Sequence, residues 1–203
     1  MKKFISILAM LLVVSCNSYN DMPATEVSSM SSISNQSVNL FKNDNANEHH
    51  RLMREFAQNF DSELLIEMVE NNVPQEQIYQ AILGDYYDLF NDMNSFISFN
   101  QSKPSSESIE LGKMMNKGAS LKDLLNYMDK NNCRTEFNET MISSYIVFMQ
   151  EDNWDEIIPL NDVNWTGVGV VDGWGVALGG PVAGVAASSG VVTGVIIRQI
   201  VNS

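Results

Sequence analysis

Few side chains in this chain are of types that do chemistry, and their spacing suits none of the common sites. The two histidines are adjacent, in Glu48-His49-His50. On a helix, neighbouring side chains point about 100° apart, so the pair cannot ligate one metal from a common face. A zinc site needs i, i+3 or i, i+4 spacing and further ligands. With Glu48 and Arg51 alongside, the histidines read as a solvated helix start. Asp85, Asp88 and Asp92 fall along one helix face beside Tyr86 and Tyr87. Paired carboxylates perform acid–base work in a pocket that perturbs them. The sequence supplies no apolar surround here, so an exposed acidic face is expected. Glu151, Asp152, Asp155 and Glu156 surround Trp154, without the alternating Asp/Asn and Gly order of an EF-hand loop. Cys133, in Asn131-Asn132-Cys133-Arg134, has an Arg that would lower a thiol pKa. It has no partner cysteine and no His/Asn companion, and reads as an incidental thiol. There is no phosphate-cradling loop and no Ser/His/Asp arrangement. The expectation is a non-enzymatic protein with no catalytic residue, no cofactor and no metal.

Charge narrows the partners. The chain has 203 residues, with 12 Lys+Arg against 25 Asp+Glu, a formal net charge of −13. Nucleic-acid binding draws its affinity from clustered cations meeting phosphates, so a nucleic-acid partner is not expected. Two cysteines cannot build a disulfide scaffold.

The remaining cysteine sits in a pattern of its own. Lys2 and Lys3 form a basic start, and Phe4 to Val14 is apolar apart from Ser6. That run is too short to span a bilayer core of ~30 Å and suits the apolar part of a signal peptide. Val13-Val14-Ser15-Cys16 follows: an aliphatic residue, a tolerant position, a small residue, then the thiol. This resembles the lipobox of bacterial lipoproteins; the alternative is an ordinary secretory signal in which Cys16 is incidental. The resemblance implies removal of residues 1–15, lipidation of Cys16 as the first mature residue, and anchoring by acyl chains. Each buried CH₂ contributes about 0.8 kcal/mol to such an anchor, so two or three chains hold stably. The membrane is then a partner through the N-terminal lipid. Asn17 rather than Asp follows the cysteine, which points to the outer membrane of a bacterial cell envelope. Cleavage would leave 10 basic side chains against 25 acidic ones. So acidic a chain is repelled by anionic headgroups and must rely on lipid for attachment.

These residues have to be positioned by three successive regions. Residues 16–45 are rich in Ser and Asn and poor in large apolar side chains, and are expected to form a disordered, flexible tether. Residues 46–157 are expected to be a folded all-α domain, an irregular bundle of five or six helices. Leu52, Phe56 and Phe60 share a face of a helix starting near Asn47. Asp61 caps a second helix with Leu64, Leu65 and Met68 inward. Pro74 opens a long helix running to Phe99. A short helix from Glu107 closes at Gly118. Ser120 caps a helix carrying Leu121, Leu124, Leu125 and Met128, and Thr135 caps the last one.

The third region, residues 163–203, is a glycine-rich tail. Nine of the 12 glycines lie between Gly167 and Gly194, and residues 173–197 carry no charge. Small residues recur every four positions: Gly175, Gly179, Ala183 and Ala187 in one row, Ala186, Gly190 and Gly194 in another. On a helix each row is a groove that lets a second backbone approach closely. The pairs Gly175/Gly179, Gly180/Gly184 and Gly190/Gly194 resemble the glycine-zipper segments of class II two-peptide bacteriocins, over about one fifth of the chain. That resemblance implies a membrane-active or self-associating tail. The chain departs from it in lacking an N-terminal double-glycine leader, in its few basic residues, and in the lipobox. Two other readings of the tail stand beside it. It could be a soluble helical hairpin packed on the bundle, or a strand hairpin turning at Asp172-Gly173. After Pro181 only ~16 uncharged residues remain, about 24 Å of helix and short for a span. The function expected is thus a lipid-anchored envelope protein whose tail acts on or at a membrane. The alternative is a surface lipoprotein whose helical domain binds a protein and whose tail is part of the fold.

Overall fold

The computed structural model describes residues 43–92, 104–150, 154 and 163–202. The expected signal peptide, Cys16, the tether up to residue 42 and the four acids around Trp154 lie outside the described residues. Among the described residues the fold is all-α, with no strand: α1 (Asp44–Gln58), α2 (Ser62–Glu70), α3 (Gln75–Leu83), α4 (Ser106–Asn116), α5 (Leu121–Lys130), α6 (Glu136–Met149) and α7 (Trp165–Asn202).

Local chemistry sets most of the boundaries. Asn43, Asp61, Ser105, Ser120 and Thr135 each stand at an N-cap, where the side-chain oxygen accepts a backbone N–H three residues on. Each satisfies a donor that the first turn leaves orphaned, worth about 1 kcal/mol. Pro74 stands just before α3, where its missing N–H costs nothing. Three helices end on a residue in the left-handed region, Asn72 (φ 55°), Gly118 (φ 71°) and Asn132 (φ 50°). In each case the next residue donates back over the last turn: Val73 to Met68 O, Ala119 to Met114 O and Cys133 to Met128 O, all at 3.0 Å. This is the Schellman closure.

Some sequence expectations shift. α1 starts three residues before Asn47, and its deepest face is Ala46, His49, Met53, Phe56 and Ala57; Leu52 and Phe60 are half-buried at its edge. Leu65 is fully buried, but Leu64 is 37% exposed rather than inward. The helix opened by Pro74 does not run on unbroken. Gly84 (φ 51°) ends α3, and Gly84–Tyr86 is a 3₁₀ turn before the chain resumes helix at residues 87–92.

The glycine-rich tail folds back on itself. Gly180 has φ 79° and ψ −173°, outside helical geometry, and divides α7 into two arms, 165–179 and 181–202. The sequence makes the bend: glycine tolerates the positive φ, the residue before a proline avoids the α region, and Pro181 is suited to a first helical position. In an unbroken helix Asp172 and Ser188 would stand about 24 Å apart; their side chains are 2.6 Å apart. The arms are therefore antiparallel. A Cβ on Gly175 would lie 2.8 Å from the Gly184 Cα and 3.0 Å from the Ala187 Cβ, so small side chains set the spacing of the arms.

This hairpin and α6 form the centre, with α1 packed against both. Ten of the fourteen residues of α6 are buried. Two apolar clusters meet at the hairpin. In one, Met53, Phe56, Leu65, Ile78, Leu83 and Phe148 close on Val185, Val191, Val192 and Ile196. In the other, Leu111, Met115, Leu124, Met128, Met141 and Ile142 close on Val170 and Trp174. The tail is thus common to both halves of the core, where the sequence reading set it apart from residues 46–157.

Candidate functional site

The most unusual chemistry lies where α1 crosses the two arms. His49 comes from the inner face of α1, Asp172 from the middle of the first arm and Ser188 from the second. They are 1%, 0% and 0% exposed. The sequence positions them simply. His49 falls on the same helical stripe as Ala46, Met53 and Phe56, so folding α1 onto the core buries it. Gly184 makes room for the ring, since a Cβ there would lie 2.5 Å from His49 Cδ2. His49 Nε2 lies 3.0 Å from Asp172 Oδ1. The approach is not aligned as an N–H···O hydrogen bond, and Nε2 has no other partner. The Ser188 hydroxyl sits 2.6 Å from the same Oδ1 and 2.9 Å from the Gly184 carbonyl, with one proton to donate between them. Asp172 Oδ2 has no hydrogen-bond partner, and neither do the buried hydroxyls of Ser143, Ser144 and Thr193.

The residue types are those of a hydrolase, but the arrangement is not. Nucleophilic catalysis needs the histidine between serine and carboxylate, taking the serine proton. Here the carboxylate stands in the middle, and serine and histidine both face one of its oxygens. No substrate can reach a serine with no exposed surface. Among the described residues no cluster of three or more His, Cys, Asp or Glu side chains is placed to hold a metal. What the geometry does supply is a tie: two buried polar contacts to Asp172 Oδ1, from His49 and from Ser188, joining α1, the first arm and the second arm.

The sequence reading placed His49 in solvent; the structure corrects this, because the ring faces the core. Only His50 sits nearer the surface, half-buried and edge-on to Trp154 with ring centroids 6.1 Å apart. Two signals pointed to the tie. His49 is in register with an apolar stripe, and Asp172 is the single acid in α7. A lone acid in an apolar helix needs a partner.

The other candidate residues are placed as follows. Gly175 faces Gly184 across the hairpin, and Gly184 also faces His49. Gly180 is the bend. Gly190 lies against the Phe90 ring, and a Cβ on Gly194 would lie 2.5 Å from the Tyr79 hydroxyl. Gly179 is exposed beside the bend. Cys16 lies outside the described residues. Asp85, Asp88 and Asp92 are exposed. Cys133 is a buried free cysteine; burial, with Glu107 nearby, pushes its thiol pKa up. Arg134 is instead 3.0 Å from Asp129. Tyr145 is buried, donates to the Met115 carbonyl at 3.1 Å, and has its phenol pushed up to about 12 by burial.

No family model matches this chain, and neither a curated protein nor a solved structure is similar to it. Its function must be argued from its own residues.

Proposed function

We propose that this is a non-catalytic, lipid-anchored protein of the bacterial cell envelope that acts on membranes through its glycine-rich hairpin. The fold described here is its closed form, with the hairpin sheathed by the other helices. One observation carries the reading: among the described residues, α7, taken as one run across its bend, is the one stretch whose length and hydropathy suit a membrane, and most of its apolar stretch is buried at the centre of the domain. Neither arm alone spans a bilayer core of ~30 Å: the uncharged run 182–197 of the second measures about 24 Å and the 15-residue first arm about 22 Å, so the reading is of the hairpin entering a membrane rather than of one helix crossing it. In this reading Cys16 carries acyl chains that hold the domain at an outer membrane, and the tail acts as a bacteriocin-like element.

The test uses the mature full-length chain added to dye-loaded vesicles of phosphatidylethanolamine and phosphatidylglycerol. Leakage that rises with protein concentration is expected, with α7 protected from protease in the vesicle-bound protein. If neither is seen under any condition of pH, the membrane reading falls.

A second reading rests on a different observation. The small-residue grooves are already filled, Gly175 by Gly184, Gly190 by Phe90 and Gly194 by Tyr79. A tail that self-associates would have to leave these contacts. In this reading the hairpin serves only as the core of a surface lipoprotein whose helical domain binds another protein. An intact domain that never perturbs vesicles, and that co-purifies with one stoichiometric partner, is its expected signature.

A further inference from the structure

From the packing of α3 we infer that residues 75–92 form a strap that plugs the second arm with two aromatic rings and must lift before the hairpin can leave the sheath. The inference rests on the membrane reading above and names the part of the sheath that has to move.

The plug is the pair Tyr79 and Phe90. Gly190 and Gly194 stand one turn apart on the second arm and leave two gaps in its surface. The Phe90 ring fills the first, where a Cβ on Gly190 would overlap it. The Tyr79 hydroxyl fills the second, 2.5 Å from where a Gly194 Cβ would lie. The two rings are stacked, with centroids 5.1 Å apart and planes at 17°. Each covers a face of the other, so they leave their gaps together. Rings set against bare backbone make many weak dispersion contacts at once, and all are lost when the surfaces part.

The strap is built to move as one piece. α3 and the helical residues 87–92 fold against each other across Gly84, whose φ of 51° makes the turn. Two contacts of the same eleven-residue spacing hold them: the Tyr79–Phe90 stack, and a hydrogen bond from the Tyr87 hydroxyl to the Glu76 carboxylate at 3.3 Å. The rest of the molecule holds this piece lightly. Of its 18 residues only Ile78 and Leu83 are buried, and α3 begins without a side-chain cap. In α6, by contrast, ten of fourteen residues are buried. Elements with few buried apolar contacts open at lower free energy than the core does.

The strap cannot follow the hairpin into lipid. Its Glu76, Asp85, Asp88 and Asp92 are all exposed, and residues 75–92 contain no Lys or Arg. Acidic side chains are expensive in hydrocarbon. Residues 173–197, which include both gaps, carry no charge. The contact at Gly190 and Gly194 therefore joins a segment that stays in water to one that enters the membrane, and breaking it is a required step of entry.

The experiment compares the mature full-length wild type with the double variant Tyr79→Ala/Phe90→Ala, and with Leu124→Ala, which opens a cavity in the other apolar cluster. It reads amide hydrogen exchange in the free protein and in protein bound to phosphatidylethanolamine/phosphatidylglycerol vesicles, together with dye leakage. In free wild type, residues 75–92 should exchange through an opening that leaves α6 protected. In the vesicle-bound wild type the strap should lose protection while the second arm keeps it. These wild-type measurements hold whether or not the double variant folds. The double variant should leak roughly tenfold faster than wild type, a normal size for one coupled element, with the second arm deprotected around Gly190 in the free protein. Leu124→Ala should leak near the wild-type rate although it lowers stability. Equal leakage from Leu124→Ala and the double variant would show that lost stability alone opens the domain, and would overturn the strap. So would a strap that exchanges only together with α6, or one that stays protected in bound protein that leaks; in either case the membrane reading stands. If no form leaks, the membrane reading fails. The strap then stands if free wild type opens at residues 75–92 before α6 and the double variant deprotects Gly190 and Gly194, and falls otherwise.

Discussion

The sheath helices and the hairpin are specified in opposite ways. α1, α2, α4 and α5 each have a wet face, an N-cap side chain and a stripe of large apolar residues. Their partner could be almost any apolar surface of the right width. The hairpin is buried nearly all round: in its second arm every residue from Ala183 to Gly194 is buried. It has no stripe to read. Its packing is set by small residues, a bend, and what presses into the gaps: Phe90 at Gly190, Tyr79 at Gly194, and Trp174 reaching out of the hairpin to Gly112. The sheath can be recognised helix by helix, whereas the hairpin makes sense only once its neighbours are known.

The severest way to break this comparison is to remove the hairpin. Residues 46–157 alone would leave Met53, Leu65, Ile78, Phe148 and Trp174's neighbours Leu111 and Met115 without their central partner. Stabilities of domains lie at about 5–15 kcal/mol, and each large core side chain returned to water costs about 1.5–3 kcal/mol. The expected outcome is loss of the cooperative thermal transition, with residual helix by circular dichroism. A sharp melt near that of the full chain would show that the sheath has a core of its own.

A narrower test fills a gap. Gly190→Leu drives a side chain into the Phe90 ring, which is stacked on Tyr79 with ring centroids 5.1 Å apart and cannot simply swing away. Overpacking costs about 1–3 kcal/mol, so a Tm drop of several degrees is expected despite the gain in hydrophobicity. Chemical-denaturation midpoints should fall in step. An unchanged or raised Tm would mean the tail is held by hydrophobicity alone.

How far the sequence carried this picture differs by region for the same reason. The all-α class, the caps at Asp61, Ser120 and Thr135, and the close of α4 at Gly118 were all legible, because each depends on residues within one or two turns. The end of α3 at Gly84 was missed because an isolated glycine in a helical pattern is tolerated as often as it terminates. Leu64 was placed inward because adjacent leucines cannot be told apart by spacing alone. The tail's composition signalled close helix contact but left open what it contacts. The Gly180-Pro181 bend, which turns one run into two antiparallel arms, is the local feature that decides it. His49 was misplaced for a related reason: its register with the apolar stripe of α1 marks burial, but its partner lies 123 positions away in sequence, so nothing local to His49 identifies Asp172.

The sheath's own logic is tested by Thr135→Ala. The Thr135 hydroxyl accepts from the Asn138 N–H at 3.2 Å at the start of α6. Removing it orphans one donor and should cost about 1 kcal/mol, a Tm shift of a few degrees for a domain of this size. Thr135→Ser should restore most of it, since serine caps equally well. If alanine is neutral, α6 is held by its burial alone and behaves like the hairpin rather than the sheath.

The smallest expected effect is the most discriminating one within the hairpin. Gly179 and Gly190 belong to two separate four-residue rows in the sequence, and a zipper continuous along the tail would make both rows contact faces. The fold separates them: Gly190 is buried against an aromatic ring, and Gly179 is exposed beside the bend. Alanine in place of Gly179 adds a Cβ on the solvent side and reduces the freedom of the unfolded chain, a change worth about 0.4–1 kcal/mol in favour of the fold where the backbone angles suit it. Next to Gly180, at the frayed end of the first arm, the gain should fall to a few tenths. Gly179→Ala is therefore expected to melt within about a degree of wild type, or slightly above it, in the same assay where Gly190→Leu melts well below. If Gly179→Ala instead loses as much as the Gly190 variant, both small-residue rows act as contact faces. The arms would then have to pack along their full length, tip included.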